Sequence, residues 1–331
     1  MSYLAVNTEV LFPENKSGRV AFKFFTVNSF KTESSWQSLT DTAEIVIAKK
    51  LFFEDKGKVS ELIKAGDPIK LRGGYNGEYH DEFTGFVAEI LDDMPVVLKC
   101  EDNMYLLKRT PVNKSYTSVK LHTLLKDIVP AQFTIDAMDI DLGSVFFSKT
   151  TVSQVLQLLK DDYGLYSYFN GDTLVSGKIY TDNLNTEVVK YAMDGPRKNI
   201  ITNDLKYRKK EDIKIKVTMT SYLSAGTKKT VTVGDAEGQE QKLVCSNVSD
   251  ESAIKALAQK EFDRLKIDGY SGGITTFGIP FVKHGYTATI ENNEFKERSG
   301  DYYVDSVITT LNDMGAYHRV VKLGPKAAKQ N

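Results

Sequence analysis

The chain has 331 residues, 41% of them hydrophobic and 26% charged, a composition typical of a globular protein long enough for two or three domains. A formal net charge of −1 gives no global electrostatic reason to expect nucleic acid or an anionic membrane as a partner. Because Cys100 and Cys245 lie far apart in sequence, we expect no disulfide framework and a reducing compartment.

The N-terminus carries neither the positive start nor the apolar segment of a secretory signal. The chain also lacks an apolar run approaching the roughly 20 residues that cross a bilayer. The sequence therefore predicts a protein with no signal peptide and no membrane-spanning segment.

Residues 1–111 show the pattern of a first β-barrel domain. A Gly-rich hairpin tip is predicted at Gly73–Gly77, and a short helix at Val59–Lys64. Strands are predicted at Arg19–Val27, Thr42–Ala48, Ile69–Leu71, Phe83–Val87 and Pro95–Glu101.

Residues 112–192 form a predicted small α+β module, since the apolar period changes to that of helices. The spacing predicts one helix over Leu121–Ile128. A second helix begins after Thr151, which forms a capping-box pattern with Gln154, and ends at Gly164. A hairpin follows over residues 165–175, with Asn170-Gly171 as its predicted turn.

Residues 193–325 are predicted to form a second β-barrel domain with one helix, and residues 326–331 a flexible tail. The helix is predicted over Ile254–Leu265. Strands are predicted at Ile213–Thr220, Lys228–Val233, Gln241–Val244, Thr287–Glu291, Gly300–Val304 and His318–Leu323. The predicted fold class is thus α+β, mainly β, with two related antiparallel β-barrel domains around the α+β module.

The predicted relation between the two β regions rests on an internal similarity between the segments Gly66–Pro95 and Gly285–Gly315. In each segment a glycine precedes a strand, a polar tip follows, and a second strand ends at an acidic-Met turn. Few residues are identical, and two unrelated hairpins could align this way by chance. The matching positions at the ends of two β regions favour duplication.

Residues able to support catalysis are scattered. The four histidines (His80, His122, His284 and His318) lack zinc-binding spacing, and phosphate-binding and serine-hydrolase motifs do not occur. His80 is expected in a solvated turn and His122 at the flank of its helix. The acidic pairs Asp92-Asp93, Asp161-Asp162 and Glu211-Asp212 are typical of solvated turns and helix ends. We therefore predict no catalytic, cofactor-binding or metal-binding residue.

One charge bias occurs, at Lys206–Lys210 with Lys214 and Lys216 nearby. It could contact phosphates or an acidic protein surface, but an exposed strand edge protected by lysines is the favoured interpretation. Three aromatic residues, Trp36, Tyr75 and Tyr79, are candidates for a glycan-binding patch, although a lone Trp more often fills the edge of a core.

Five segments follow one another along the chain in a characteristic order: Phe83–Val87, Tyr163–Leu165 with Phe169 and Leu174, Gly278-Ile279-Pro280, Gly300–Val307 and Met314–Gly324. This order resembles that of the tail hub proteins of contractile phages, of the late-control-D type, and of the N-terminal half of type VI secretion spike proteins. The resemblance covers nearly the whole chain, although its motifs are structural glycines and strand patterns.

The resemblance implies a non-enzymatic homotrimer in which two related barrels per chain build a pseudo-hexameric ring between a six-fold tail tube and a three-fold spike. Implied partners are the tube protein, a separate spike protein and other baseplate proteins, with DNA passing the lumen without sequence-specific binding. The implied location is the virion tail, assembled in the bacterial host cytoplasm. A tail-associated cell-wall hydrolase and a receptor- or carbohydrate-binding tail module are the alternatives.

Overall fold

A computed structural model describes residues 4–15, 18–48, 62–91, 93–180, 187–223, 227–246 and 248–327. Strands make up 51% of the structure and helices 15%, which confirms the predicted mainly β fold class. Antiparallel pairing predominates, as predicted. Three pairings differ because they are parallel: Thr134–Ala137 with Thr173–Gly177, Val188–Ala192 with Thr287–Glu291, and Ile215–Tyr222 with Gln239–Ser246.

The first region contains strands β1 (Val6–Phe12), β2 (Phe22–Phe24), β3 (Ser29–Ser35), β4 (Thr42–Ile47), β5 (Pro68–Tyr75), β6 (Glu78–Leu91) and β7 (Val96–Glu101). The middle region contains helices α1 (Met104–Leu107), α2 (Leu121–Ile128) and α3 (Val152–Tyr163), with strands β8 (Pro111–Tyr116), β9 (Thr134–Ala137), β10 (Val145–Thr151), β11 (Tyr166–Asn170) and β12 (Thr173–Gly177).

The last region contains β13 (Val188–Ala192), β14 (Ile200–Asn203), β15 (Lys206–Arg208), β16 (Ile215–Tyr222), β17 (Lys228–Gly234), β18 (Gln239–Ser246), helix α4 (Glu251–Leu265), β19 (Gly269–Phe277), β20 (Thr287–Glu291), β21 (Gly300–Leu311) and β22 (Tyr317–Lys326). Strand β22 thus includes Lys326, which the sequence placed in the tail.

The N-terminal strands are where sequence prediction was weakest. The strand predicted at Arg19–Val27 is only three residues long, because it pairs solely with the end of β1. Strands β1 and β3 were not predicted, since the polar residues of β3 alternate with only two buried side chains, Phe30 and Thr32. Half of the predicted helix Val59–Lys64, residues 59–61, lies outside the described residues.

The predicted hairpin tip Gly73–Gly77 is also corrected. Gly73 and Gly74 lie inside β5, and the turn is the two-residue Asn76-Gly77, both with positive φ. A side chain at Gly74 would meet the backbone oxygen of Glu78 at 1.7 Å. These glycines therefore allow close strand packing instead of forming the turn.

The two predicted helices and the predicted hairpin of the middle region are present, whereas α1, β8, β9 and β10 were not predicted. Thr151 and Gln154 form the capping box of α3, and Gly164 ends the helix in the left-handed conformation with φ 63°. The hairpin turn is Gly171-Asp172, one residue later than predicted, because Asn170 pairs with Thr173. Helices α2 and α3 both pack the apolar residues of their predicted spacing into one core.

A small three-stranded sheet, β17-β16-β18, packs against α4 and is inserted between β15 and β19. Ile213 precedes β16 instead of belonging to it, while Val217 and Met219 are buried as predicted. Gly164 meets this inserted sheet, since a side chain there would lie 2.0 Å from the carbonyl oxygen of Lys242. Stacked rings of Tyr163 and Tyr222 complete the contact.

We predict that Gly164→Ala lowers the free energy of unfolding by about 1–3 kcal/mol more than Gly143→Ala does. Both glycines have positive φ, so both substitutions strain the backbone, but a side chain at Gly143 meets nothing within 4 Å. Denaturant titration of both variants measures the difference. Equal losses would show that α3 does not closely approach the inserted sheet.

Candidate assembly interface

One sheet runs through both β regions. Its main path has the order β14-β19-β22-β21-β3-β4-β7-β6-β5-β1-β2. The first eight strands divide into two runs of four, β14-β19-β22-β21 and β3-β4-β7-β6. In both runs the strands appear in the same chain order, and every pairing within a run is antiparallel. The two runs therefore share one topology.

Details of backbone geometry repeat as well. In the first region Gly66 N donates to Val87 O, and Val87 N donates to Asp67 O. In the last region Gly285 N donates to Val304 O, and Val304 N donates to Tyr286 O.

Both glycines have positive φ, and β6 and β21 shift register at the residue after the valine, Ala88 or Asp305. Hairpin β5-β6 corresponds to β20-β21 in this way. One neighbouring pairing differs, because β1 is antiparallel to β5 whereas β13 is parallel to β20.

The two runs meet inside the chain where β21 pairs with β3, from Ser306 opposite Ser35 to Leu311 opposite Phe30. Trp36 continues this contact. Its backbone N–H donates to Asp305 O, and its indole Nε1 donates to Val304 O at 3.1 Å. Trp36 is 4% exposed, so it fills the edge of the core at the junction.

A buried ion pair stabilises this junction from β6 and β22. Arg319 Nη1 donates to Glu82 Oε2 at 2.9 Å, and both side chains are 1% exposed. Arg319 also donates to Gly278 O and Thr309 Oγ1, while the Tyr317 hydroxyl donates to the same glutamate. The charge of Arg319 is thereby compensated inside the protein, and the two β regions are linked through its guanidinium group.

His284 lies at the same junction but is not arranged for catalysis. It is 6% exposed, its Nδ1 is 2.7 Å from Ser34 Oγ, and its ring packs edge-on against Trp36 and Tyr168. Burial, with the nearby Lys283 ammonium, lowers the pKa of His284 to about 4. The ring is therefore neutral at pH 7.

The other histidines lie on separate elements. His80 is half-buried in β6 and stacks on Phe281 with ring centroids 5.1 Å apart, so the expected solvated turn is wrong. His122 is exposed on α2, as predicted, and His318 lies on β22 beside Phe277.

The acidic pairs do not converge either. Asp93 lies in the turn after β6, Asp161 and Asp162 end α3, and Glu211 lies in a short 3-10 turn; Asp92 lies outside the described residues.

Sequence reasoning missed the buried carboxylate of Asp102, among others. Asp102 is 7% exposed and lines, with Asp41, a cavity of about 420 Å³ where the three regions meet. Burial, together with the Asp41 carboxylate, raises the pKa of Asp102. Its Oδ1 accepts from Met104 N at 3.0 Å, so it satisfies the first N–H group of the short helix α1. Its position directly after β7 was the available signal, because aspartate is common where helices begin.

The proposed glycan-binding aromatics are poorly placed for that role. Tyr75 is 8% exposed and donates through its hydroxyl to Tyr317 O, and Trp36 is buried as described. Tyr79 is half-buried beside Arg72. The basic segment forms the edge strand β15, in agreement with the favoured interpretation.

Within the described ranges, no cluster of three or more His, Cys, Asp or Glu side chains could hold a metal ion. Cys100 is buried and Cys245 is half-buried, and both are free thiols. In the part of the chain that the structure covers, no helix is long and apolar enough to span a bilayer.

We predict that Glu82→Ala lowers the free energy of unfolding by about 3–5 kcal/mol, because Arg319 would remain buried without its counter-charge. Asp139→Ala is the control. It removes a carboxylate that pairs with Lys120 at 2.9 Å, but these side chains are 81% and 60% exposed, so the expected loss is below about 1 kcal/mol. Equal losses in chemical denaturation would contradict a stabilising role for the buried pair.

We predict that the His284 ring titrates near pH 4. NMR of the imidazole protons measures this titration, and the signals of His284 are assigned by their loss in His284→Gln. An unfolded histidine binds its proton near pH 6.5, whereas the folded ring resists it. The stability contributed by His284 is therefore complete above about pH 6.5 and is lost as the pH falls towards 4. A midpoint near 6.5 would contradict its burial.

No protein-family model and no curated protein matches the sequence. Solved structures do match. A tail protein from Neisseria meningitidis MC58 has a TM-score of 0.64 at 15% identity, covering 97% of this chain and 96% of that chain. The prophage MuSo2 43 kDa tail protein from Shewanella oneidensis has a TM-score of 0.62 at 13% identity, with 98% of each chain covered.

An Escherichia coli type VI secretion component, described as structurally similar to bacteriophage T4 tail proteins, has a TM-score of 0.54 at 10% identity. That match covers 98% of this chain and 74% of the other. These similarities confirm the predicted resemblance at the level of fold: the chain has the fold of phage tail proteins and type VI spike-related proteins.

Proposed function

We propose that this protein is the structural hub of a contractile phage tail or phage-like injection particle, of the late-control-D type, and that it acts as a homotrimeric ring. The observation that carries the proposal is the repeated four-strand run. Each chain supplies eight strands of one sheet as two equivalent runs. Three chains joined end to end would supply 24 strands in six equivalent runs, which gives a three-fold ring pseudo-six-fold symmetry.

The edges needed for such closure are present. Strand β21 pairs with β3 along its last six residues. The corresponding end of β6, Glu89–Leu91, pairs with β7 on one side, but among the described strands it has no partner on the other side. At the other end of the path, β14 and β15 pair with β19 and with no other strand that the structure describes. Joining these edges between chains would repeat the junction that β21 and β3 form within a chain.

The two faces of the ring would have different symmetry. Strands β6 and β21 are separated by four antiparallel pairings, so they run in the same direction, about 19 Å apart. Their turns therefore lie on one face, where Met94 and Met314 are 73% and 90% exposed. This face would present six similar Asp-Met turns, which suits a six-fold tail tube.

The opposite face carries the unequal parts of the chain. The middle region leaves the sheet after Glu101, and the inserted sheet leaves it between Arg208 and Gly269, both at the ends remote from the Met turns. The two insertions differ, so this face would repeat only three times around the ring. It suits a three-fold spike, supplied by a separate protein, and other baseplate proteins.

The exposed side of the eight-strand path would line the channel, because its other side packs onto the two cores. This surface carries mixed, partly paired charges, such as Lys31 with Glu33 and Lys99 with Glu89. A lining of mixed charge suits passage of DNA without sequence-specific binding. The proposed location is the virion tail, with assembly in the host cytoplasm.

We retain the boundaries 1–111, 112–192 and 193–325 as proposed domains, with residues 326–331 as the tail. We also propose a non-enzymatic role, because the acidic pairs singled out in the sequence lie on three separate elements and the buried Asp102 carboxylate is engaged by Met104 N. The structural neighbours named as tail proteins support this role, although their identities establish only the fold.

We predict that the purified chain sediments at three times its mass of 37.1 kDa. Sedimentation equilibrium over a range of concentrations measures this mass directly. The proposed ring closes only with three copies, since each copy supplies two of its six runs. A monomer or a dimer at the highest concentrations would contradict the proposal, as would loss of turbidity of a peptidoglycan suspension on adding the protein.

A further inference from the structure

We infer that the basic strand β15 is the ring-closing edge: its residues Lys206–Arg208 pair antiparallel with Glu89–Leu91 at the end of β6 in a neighbouring copy. The inference rests on the proposed trimeric ring and adds the partner strands, their register and their charges. It also gives a role to the basic segment, which neither the fold nor the buried junction explains.

The register follows from the repeated ladders. Val87 pairs with Cys100, which pairs with Ala43 in the first run. In the second run Val304 pairs with Leu323, which pairs with Gly272. Because Val87 and Val304 occupy equivalent positions, Ala43 is equivalent to Gly272.

The same ladders assign the counterpart of β3. Thr42 precedes Ala43 and pairs with Glu33, whereas Ser271 precedes Gly272 and pairs with Lys206. Lys206 therefore occupies the position of Glu33. Strands β14 and β15 together correspond to β3, and β15 supplies the part that faces the junction.

The register of the junction within the chain then predicts which residues face each other between chains. Within the chain Ile308 lies opposite Glu33, and Ser306 lies opposite Ser35. Leu91 lies four residues after Val87, as Ile308 lies four residues after Val304. Transferring the register places Leu91 opposite Lys206, Ile90 opposite Tyr207 and Glu89 opposite Arg208 of the neighbouring copy.

The side chains suit these positions. Ile90 and Tyr207 are half-buried and pack against the cores of their own regions, so they would meet on the core side. Glu89 and Arg208 are exposed and would meet on the other side. Glu89 already pairs with Lys99 on the strand next to it, and Arg208 would place a second cation on its open side.

Charge also explains why this edge is selective. Four basic residues within Lys206–Lys210 surround Tyr207 on and just after β15, and their repulsion disfavours pairing of two β15 edges. An edge that carries Glu89, with Asp93 in the turn beyond it, is a complementary partner. A cross-strand pair of opposite charges is favourable, and like charges directly opposite are unfavourable.

Charge exchange tests the assigned pair. Glu89→Arg should raise the protein concentration at half-assembly of the trimer by about tenfold or more, because three identical junctions change together. Adding Arg208→Glu should restore assembly. Glu44→Arg is the control. Glu44 lies on β4, on the same exposed face of the sheet as Glu89, but away from the proposed junction between copies. If Glu89→Arg and Glu44→Arg assemble alike, or if the double variant is not restored, the assigned pair is wrong.

Covalent capture tests the register independently of interface strength. Leu91→Cys with Lys206→Cys in one chain should give, on mild oxidation, a covalently linked trimer on a non-reducing gel, because opposite Cβ atoms lie about 5 Å apart. Leu91→Cys with Thr202→Cys is the register control, since Thr202 lies about 13 Å farther along the edge. Each double variant is first checked for wild-type thermal unfolding.

The outcomes separate the inference from the proposed function. A linked trimer in the first variant and none in the control supports the register. A trimeric mass with no linkage, or with equal linkage in both variants, overturns the register and leaves the trimeric hub intact. A monomeric wild-type chain overturns both.

Discussion

The structure depends on one buried ion pair, Glu82 with Arg319, which fixes how the two β regions meet. Burying two charges is costly, and the cost is offset only because the guanidinium group satisfies a carboxylate, a carbonyl and a hydroxyl together. Such a contact tolerates little rotation, whereas apolar packing accepts many nearby arrangements. In a ring, a small error in the angle between neighbouring runs would accumulate and prevent closure. A rigid polar contact at the junction within each chain is therefore consistent with a ring-forming role.

Repetition is the second constraint. The two four-strand runs agree in topology, in the glycine that precedes each hairpin and in the register shift after Val87 and Val304. They share few side chains, which shows that backbone geometry is what the two halves have in common. Function in this account comes from the shape and number of the surfaces, and the two insertions make one face differ from the other.

The predictable parts of the fold were those whose signal is local. The Thr151–Gln154 capping box and the stop at Gly164 lie within one helix, and the alternation around Val217 and Met219 is evident in eight residues. Strand β3 was missed because its pairing with β21 bridges about 270 residues and because only Phe30 and Thr32 of this polar strand are buried. Glu82 and Arg319 carry no sequence signal of burial, since charged residues are rarely buried and their partners lie on distant strands. The basic strand was correctly placed at an edge, but its partner follows only from comparing the two runs.

In the proposed ring, three copies form one closed sheet with two equivalent runs per chain. A cryo-EM reconstruction of the purified chain, calculated without imposed symmetry, would show this closure or its absence. We predict a three-fold axis, a continuous inner sheet of 24 strands and superposable four-strand runs alternating around it. A particle with two-fold symmetry, or a ring whose chains meet only through the inserted sheet and the middle region, would contradict it.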